Sequence, residues 1–338
     1  MQHCLALAEL GRHRVGNGAM VGAVLVREGK IIAEGYHAAY GTAHAERMLL
    51  ENFTSEIFSN DILYVNLEPC CHQGKTPPCT DILLERGVKH VVFGMFDPDQ
   101  RVRGKSVELL KQQGVLIDGP LGRTHCERLN RGFVTVRTLS RPWITLKMAM
   151  NTAGFISKSD GSTLKITSYA QDIFAHTYLR HQSDAILVGV QTVITDDPQL
   201  DERFRNIDYK KFNSALIGKE NSMYKKCELY RIILDPHFRI PSHAKVLNDE
   251  NASRTMVLTQ ASIAEIRQKN RGTHGAKVIS MSVHDEFFVW ESLWKILLEP
   301  VDEYHGITSL LVEGGAKTWQ AFRSHGYMDE EVVLTGHD

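Results

Sequence analysis

The sequence predicts an α/β protein with two domains, each built on a mostly parallel sheet that helices cover on both faces. Strand-like and helix-like segments alternate along the chain, which is typical of parallel strands joined by helical crossovers. The alternation restarts near Arg141-Pro142, where the proline disfavours a continuing helix. A chain of 338 residues is also long for a single core. We therefore place the two domains at residues 1–138 and 142–338.

The first domain begins with a predicted helix, "HCLALAELG". Two strands follow in "MVGAVLVREGKIIAEGYH", joined by a turn at Glu28-Gly29. The remaining segments read in order as helix "HAERMLLENF", strand "DILYVNLE", helix "CTDILLERG", strand "KHVVFGM", helix "GKSVELLKQQG" and strand "VLIDG". Ligands bind beyond the carboxyl ends of strands in such sheets. The loop after "DILYVNLE" lies at such an end.

The second domain repeats the same alternation. Its predicted strands are "WITLKMAM", "DAILVGV", "YRIILD", "TMVLT", "AKVISM" and "ITSLLVEGG", and "SYAQDIFAHTYLRHQ" reads as a helix. The chain ends at "EVVLTGHD", directly after one more predicted strand.

Composition and charge argue against several classes of protein. A hydrophobic content of 43% and a charged content of 23% are ordinary for a globular chain. The net charge of −1 provides no overall basic field for nucleic acid. No apolar run approaches the roughly 20 residues that span a bilayer, and "QHCLALAEL" after Met1 lacks the basic start of a signal peptide. We expect a cytoplasmic protein with no membrane or nucleic-acid partner.

Three of the six cysteines fall within "EPCCHQGKTPPC", residues 68–79. Such a stretch can hold a disulfide, bind a metal or form a stiff turn. Disulfide scaffolds are shorter and spread their cysteines more evenly. Reduced thiols clustered in one loop favour metal binding. We assign the other three to packing: Cys4, Cys126 and Cys227.

The upstream motif "HAE" makes this loop a candidate zinc site. The signature of zinc nucleobase deaminases is H-x-E followed by P-C-x-x-C. His44 and Glu46 supply the first part. Cys70 and Cys79 supply the second, at a wider spacing than the signature has. Zinc needs a neutral imidazole and two thiolates, and a carboxylate outside the metal shell must move protons. The pattern therefore predicts a hydrolytic zinc site with Glu46 as the acid–base group.

Each of these residues has an ordinary explanation when it is taken alone. A histidine before a helix is usually a cap or a surface residue, and a buried cysteine usually packs as a small hydrophobic side chain. The joint order and the proline beside Cys70 favour the metal site, with Cys71 as the alternative ligand. A purely structural zinc domain would have no use for Glu46.

The second domain contains a strand, Glu313, the pair Gly314-Gly315 and then a helix, in "LLVEGGAKTWQAF". Glycines between a strand and a helix let backbone N–H groups approach a phosphate at the positive end of the helix. A double glycine is more often a tight turn, so the pattern alone is a weak indication of a nucleotide site.

Several segments together resemble the bifunctional riboflavin-biosynthesis deaminase/reductase, the RibD family. They are "HAE", "LYVNLEPCCHQGKTPPCTDILLERGVKHVVFG", "DP", "LN-RGF" and "DAILVGVQTVITDDPQLDER". The family's long thiol loop accounts for the wide cysteine spacing. The resemblance implies a cytidine-deaminase-like α/β/α sandwich, then a dihydrofolate-reductase-like domain that binds NADPH. It implies zinc on His44, Cys70 and Cys79, with Glu46 as proton shuttle.

The implied substrate is 2,5-diamino-6-ribosylamino-4(3H)-pyrimidinone 5′-phosphate, which is deaminated and then reduced from ribosyl to ribityl. Candidate contacts to it in the first domain are Asn17, His72 and Lys75. The matching cofactor positions in the second domain are Ala149, Thr192, Asp196 and Gly315. Substrate positions there are Thr163, Arg180, Leu200, Arg203 and Glu313, with the two arginines as phosphate clamps.

This chain departs from the family pattern at several points. Asn17 is displaced by one position, Ala153 replaces an aspartate, and Thr163 and Lys165 replace serine and tryptophan. The family continues with further strands after the last residues of this chain, so we expect a truncated domain, completion by a partner chain, or a shorter lineage. The alternatives are a deaminase with a degraded reductase domain and a nucleic-acid base deaminase. A homo-oligomer is the expected assembly.

Overall fold

The computed structural model describes residues 1–100, 102–154, 166–201, 229–269, 275–284 and 287–336. The chain divides into two compact units. The first contains Met1–Arg141 and, from much later in the chain, Pro300–Gly306. The other described residues from Pro142 onward form the second unit. The sequence gives no indication that Pro300–Gly306 groups with the first unit.

The first unit contains a five-stranded sheet. Its strands are β1 (Gly22–Arg27), β2 (Lys30–Tyr36), β3 (Ile62–Val65), β4 (His90–Phe93) and β5 (Leu116–Asp118). Their order is β2-β1-β3-β4-β5. β1 runs antiparallel to both of its neighbours, and the other pairs are parallel. The helices are α1 (Gln2–Glu9), α2 (Ala45–Asn52), α3 (Cys79–Glu85), α4 (Lys105–Gln112), α5 (Arg123–Leu129) and α6 (Arg131–Leu139).

Both faces of this sheet are buried, as the alternation of helices and strands predicts. On β1, Ala23 and Leu25 pack into the larger core, while Val24 packs on the opposite face with Cys4 and Leu7 of α1. Successive strand residues point to opposite faces, so a strand that is apolar at every position needs cover on both sides. Cys4 and Cys126 are fully buried, in agreement with a packing role, and Cys227 lies outside the described residues.

The second unit contains a seven-stranded, fully parallel sheet and a separate two-stranded pair. The strands are β6 (Trp143–Asn151), β7 (Ala185–Gly189), β8 (Tyr230–Leu234), β9 (Thr255–Thr259), β10 (Lys277–Ser280), the pair β11 (Val283–His284) and β12 (Phe287–Phe288), β13 (Ser309–Glu313) and β14 (Glu330–Gly336). The large sheet has the order β10-β9-β8-β7-β13-β6-β14. β13 is buried at every position, as expected of a central parallel strand.

The helices of this unit are α7 (Tyr169–Ile173), α8 (Val190–Asp196), α9 (Lys245–Asn248), α10 (Ile263–Lys269), α11 (Trp290–Leu298) and α12 (Ala316–Ser324). α7 begins with a capping box between Ser168 and Gln171 and passes directly into a π-helical turn, Phe174–Leu179. π-turns within helices are frequent at functional sites, and this one leads into Arg180. None of the helices in the described part of the chain has the length and hydropathy that crossing a membrane requires.

Candidate active sites

Three side chains from separate parts of the first unit meet at one point. The Nδ1 atom of His44 lies 3.5 Å from Cys70 Sγ and 3.4 Å from Cys79 Sγ. All three ligand atoms lie within 4.8 Å of one another, and no other group of His, Cys, Asp or Glu in the described residues is arranged to hold a metal. Zinc bonds to sulfur and to imidazole nitrogen are about 2.3 and 2.0 Å long. An ion placed among these atoms therefore reaches all of them.

The starts of two helices position these ligands. His44 immediately precedes α2, and Cys79 is the first residue of α3. Cys70 lies in the loop that follows β3, and the first turn of α3 holds it. The Cys79 N–H donates to Cys70 Sγ at 3.3 Å, and the Thr80 N–H donates to the Cys70 carbonyl at 3.1 Å. Backbone N–H groups at a helix start stabilise a thiolate.

The electrostatics of the two thiols fit a divalent cation. Hydrogen bonds from Cys79 and from His44 lower the pKa of Cys70 to about 4. The hydrogen bond with Cys70, and then burial, raise the pKa of Cys79. A divalent cation at this point would favour the deprotonated form of both sulfurs. One imidazole and two sulfurs are a donor set that zinc prefers, and the residues present therefore fit zinc.

Glu46 lies beside the ligands without being one of them. It occupies the first turn of α2, is only 3% exposed, and its carboxyl group shares a hydrogen bond with Cys79. Burial and then the neighbouring Cys70 raise the pKa of the Glu46 carboxyl above its usual value. A carboxyl group that accepts and releases protons closer to neutral pH suits general acid–base chemistry.

The predicted substrate contacts of the first domain are less deeply placed. His72 and Lys75 are exposed in the cysteine loop. The Lys75 ammonium lies 4.0 Å from the centre of the Tyr40 ring. The Asn17 N–H donates to the carbonyl of His305 at 3.0 Å. Cys71, the alternative ligand, is half-buried and outside the ligand group.

His37 is a residue of this site that the sequence analysis missed. It follows β2, is 8% exposed, and its ring centre lies 5.4 Å from that of His44. Its Nδ1 atom is 3.3 Å from the Ala19 carbonyl oxygen, and its buried Nε2 atom has no hydrogen-bond partner in the described part of the chain. Burial lowers the pKa of His37. The only sequence feature that marks His37 is its position directly after a predicted strand, and this position is too common to indicate a functional residue.

In the second unit, two strand-to-helix turns meet at the carboxyl edge of the sheet. β7 and β13 are parallel neighbours, and each leads through glycine into a helix. A Cβ atom on Gly189 would lie 2.8 Å from Thr318 Oγ1, and one on Gly314 would lie 2.8 Å from Thr192 Oγ1. Gly314 has a φ of +94°, which also favours glycine. These close contacts bring together the N-termini of α8 and α12, and a helix N-terminus suits a phosphate group.

The other predicted cofactor positions lie on elements of the same sheet and helices. Gly315 immediately precedes α12, and space around its Cα is open. Ala149 lies in β6, half-buried and opposite Leu334 of β14. Asp196 ends α8 and is exposed. Two predicted substrate residues, Thr163 and Arg203, lie outside the described residues, as does Lys165.

Arg180 and Glu313 form a buried ion pair. Both guanidinium contacts to the Glu313 carboxylate measure 3.0 Å, and Arg180 also donates to the Asp201 carbonyl at 2.5 Å. The side chains are 5% and 10% exposed. Arg180, predicted from the sequence as a phosphate clamp, directs its guanidinium group at the Glu313 carboxylate. Leu200 lies beside this contact, buried, with a φ of +54°.

A second buried arginine, Arg231, donates a hydrogen bond to the backbone of the same segment, residues 199–201. Arg231 of β8 is 1% exposed and donates to the Gln199 carbonyl at 2.9 Å. The carboxylate of Asp249 accepts from the same guanidinium at 2.6 and 2.8 Å. Leu200 therefore lies between two residues whose carbonyl groups are bound by arginines. This explains how its left-handed backbone conformation is maintained.

Removing the negative charge of Glu313 is expected to destabilise the second unit. Burial alone would raise the pKa of Glu313, but Arg180 and then Lys147 outweigh it and hold that pKa at about 2. Glu313→Gln leaves the Arg180 charge buried without its partner, and breaking a buried pair in this way costs about 3–5 kcal/mol. The control Glu331→Gln, which breaks an exposed pair with Arg323, is expected to cost less than about 1 kcal/mol.

Tryptophan fluorescence in urea measures this difference, because all four tryptophans lie in the second unit: Trp143, Trp290, Trp294 and Trp319. The folded-state pKa of Glu313 is lower than its ordinary 4.5. The pair's contribution is therefore present above about pH 4.5 and is lost as the pH falls towards 2. Equal urea midpoints for the two variants at pH 7 would contradict the role given to the ion pair.

The fold and the metal site of the first unit define a hydrolytic zinc deaminase of the cytidine-deaminase class, followed in the chain by a parallel α/β domain. Two protein-family profiles match accordingly. The cytidine and deoxycytidylate deaminase zinc-binding region matches residues 1–95, and the RibD C-terminal domain matches residues 142–336. The chain belongs to the RibD family of bifunctional riboflavin-biosynthesis enzymes, with a zinc-binding deaminase domain and an NADPH-using reductase domain.

Curated relatives are similar in sequence over nearly the full length of this chain. The riboflavin biosynthesis protein RibD of Aquifex aeolicus is 36% identical over 334 residues, which cover 99% of this chain and 85% of the relative. That of Bacillus amyloliquefaciens is 34% identical, covering 98% and 81%. Among solved structures, Acinetobacter baumannii RibD superposes with a TM-score of 0.79 at 29% identity, covering all of this chain and 85% of that one.

A further similar solved structure is that of a protein described as both a deaminase and a reductase. It is a Thermotoga maritima protein described as a diaminohydroxyphosphoribosylaminopyrimidine deaminase/5-amino-6-(5-phosphoribosylamino)uracil reductase. Its TM-score to this chain is 0.75 at 32% identity, covering 100% of this chain and 85% of that one.

Proposed function

We propose that residues 1–138 deaminate 2,5-diamino-6-ribosylamino-4(3H)-pyrimidinone 5′-phosphate and that residues 142–338 reduce the ribosyl group of the product to ribityl with NADPH. The observation that carries the proposal is the convergence of His44, Cys70 and Cys79 beside the buried carboxyl group of Glu46. This arrangement supports hydrolysis of an amino group on a ring. Membership of the RibD family supports the choice of pyrimidine and the second step.

In the first step, the 2-amino group is replaced by an oxo group derived from water, and ammonia leaves. His44, Cys70 and Cys79 would hold zinc, which when bound would lower the pKa of a water molecule towards neutrality. Glu46 takes a proton from the attacking water, passes a proton to the ring nitrogen and protonates the departing amine. Its burial in the first turn of α2 keeps it close to the ligands. Asn17, His72 and Lys75 bind the rest of the substrate in this proposal.

In the second step, bound NADPH would supply a hydride, and the protein would align the nicotinamide with the sugar. The glycine turns before α8 and α12 suit the cofactor phosphates, and the proposed cofactor contacts are Ala149, Thr192, Asp196 and Gly315. The proposed substrate contacts are Thr163, Arg180, Leu200, Arg203 and Glu313. Arg180 also donates hydrogen bonds to the Glu313 carboxylate and the Asp201 carbonyl group, which hold both in place.

Assaying both half-reactions on the purified full chain tests the proposal. We expect ammonia release from the diaminopyrimidine substrate, about one zinc per chain, and NADPH oxidation once the deaminated product is present. Chelation of zinc is expected to stop ammonia release and to leave NADPH oxidation on supplied product unchanged. Deamination by metal-free protein would refute the zinc mechanism. Ammonia release without any NADPH oxidation would refute the second half and leave a deaminase with a degraded reductase domain.

The proposal also includes a cytoplasmic location, a homo-oligomeric state and no nucleic-acid partner. Balanced charge supports the last point.

A further inference from the structure

Pro300–Gly306 belongs to the first unit, although its neighbours in sequence, α11 and β13, belong to the second. The segment has a defined turn. Val301 and Tyr304 exchange backbone hydrogen bonds of 2.8 and 3.0 Å, and Tyr304 is only 4% exposed. A turn closed in this way and anchored by a buried tyrosine holds the next residue, His305, in a fixed place.

His305 contacts the deaminase domain through both its backbone and its ring. Its carbonyl group accepts from the Asn17 N–H at 3.0 Å. The neighbouring Gly16 has a φ of +59°, and a Cβ atom there would lie 2.4 Å from the His305 carbonyl oxygen. The His305 ring stacks on Tyr40, with 4.5 Å between ring centres and 18° between ring planes. The close approach of the His305 backbone requires glycine at position 16, and the stacking on Tyr40 requires the His305 ring.

Tyr40 in turn contacts Lys75. The Lys75 ammonium lies 4.0 Å from the centre of the Tyr40 ring, a cation–π contact. The lysine side chain is otherwise exposed in the cysteine loop, and a long exposed side chain loses considerable conformational entropy when it is fixed. An oriented aromatic ring beneath the ammonium reduces the number of positions available to it. The orientation of Tyr40 therefore affects where the positive charge is held.

These contacts lie close to the metal ligands. Gly18 follows Asn17, and a Cβ atom built on Gly18 would lie 3.7 Å from Cε1 of His37. The centre of the His37 ring lies 5.4 Å from the centre of the His44 ring. Lys75 itself lies within the loop that connects Cys70 and Cys79. A substrate with its amino group at the metal thus has Asn17 and Lys75 within the same small region of the first unit.

We propose that His305 is a positioning residue of the deaminase site. It holds Tyr40, and through Tyr40 it holds the Lys75 ammonium in place for the 5′-phosphate of the substrate. A residue from the sequence range of the reductase domain thereby determines how strongly the deaminase prefers a phosphorylated substrate. This inference rests on the proposed deaminase function.

The expected effect is on substrate binding, because the phosphate is remote from the carbon that reacts. Interactions made equally in the ground state and in the transition state change KM and leave kcat unchanged. An aromatic pair contributes enough for about a three- to tenfold change. His305→Ala is therefore expected to raise the deaminase KM for the phosphorylated substrate about three- to tenfold. The kcat of deamination, the zinc content and the reductase activity are expected to stay unchanged.

The test uses the full chain, two substrates and matched variants. His305→Phe keeps the stacking ring and is expected to stay within about twofold of the unmodified protein. Glu303→Ala, an exposed change in the same turn, is the negative control. For the corresponding substrate without its phosphate, His305→Ala is expected to leave kcat/KM unchanged. In a double-mutant cycle, adding His305→Ala to Lys75→Ala is expected to produce no further loss.

The outcomes separate the inference from the function on which it rests. If the unmodified chain does not deaminate the phosphorylated substrate, both the proposed function and this inference are refuted. If the unmodified chain is active but His305→Ala leaves its KM unchanged, only the inference is overturned. An equal loss for both substrates, or a loss of zinc, would likewise overturn it, because either result would show a general structural role.

Discussion

Replacing Glu46 by glutamine is expected to lower the kcat of deamination by about 10²- to 10⁴-fold, the usual contribution of a general acid–base group. The amide keeps the size of the side chain and removes its ability to take up and release protons. Glu46 is buried beside the ligand group and is not part of it. The zinc content is therefore expected to stay at about one per chain, and NADPH oxidation on supplied product is expected to be unaffected.

Glu51→Gln is the matched control for this experiment. Glu51 lies on the same helix, half-exposed, and pairs with Arg47 at 3.1 Å. Its replacement is expected to leave kcat within about twofold, since exposed ion pairs contribute little. A Glu46→Gln protein that retains full activity and zinc would show that another group moves the protons. Loss of activity together with zinc would instead indicate that Glu46 maintains the metal site.

Replacing Cys70 by serine is expected to remove zinc and, with it, deamination. The hydroxyl group of serine is a far weaker zinc ligand than a thiolate. The hydrogen bonds that Cys79 and Thr80 direct at Cys70 show that the helix start is arranged around this residue. NADPH oxidation on supplied product is expected to continue, because the reductase sheet forms a separate compact unit.

Cys71→Ser distinguishes a ligand from a neighbouring thiol. Cys71 is adjacent in sequence but lies outside the ligand group. We expect this variant to keep about one zinc per chain and unchanged deamination. The sequence favours Cys70 because of the neighbouring proline, with Cys71 as the alternative, and metal analysis of the two variants tests that choice. Zinc loss from Cys71→Ser with retention in Cys70→Ser would reverse the assignment.

Local sequence predicts most of the secondary structure because strand and helix periods are local properties of the chain. The segments from "HCLALAELG" to "VLIDG" appear as α1 to β5, and the strands of the second domain appear where the patterns place them. The clustering of His44, Cys70 and Cys79 was also predictable. Chemistry restricts them to a few residue types, and the alternation of strands and helices places their loops at the carboxyl edge of the sheet.

Contacts between distant residues could not be predicted in this way. Arg180 and Glu313 were both singled out from the sequence, but they are 133 residues apart and nothing local indicates that they pair. His305 gave no signal either, since its role depends on the first unit including Pro300–Gly306. The π-helical turn before Arg180 was predicted only as ordinary helix. A π-turn differs from an α-helix in its i→i+5 hydrogen bonds, which the residue types in so short a segment do not reveal.

Zinc X-ray absorption spectroscopy on the purified full chain tests the central claim most directly. We predict one zinc per chain with two sulfur neighbours at about 2.3 Å and nitrogen or oxygen neighbours at about 2.0–2.1 Å. His44, Cys70 and Cys79 supply three of these four neighbours. A zinc shell without sulfur, or a chain that deaminates its substrate while containing no metal, would contradict the account.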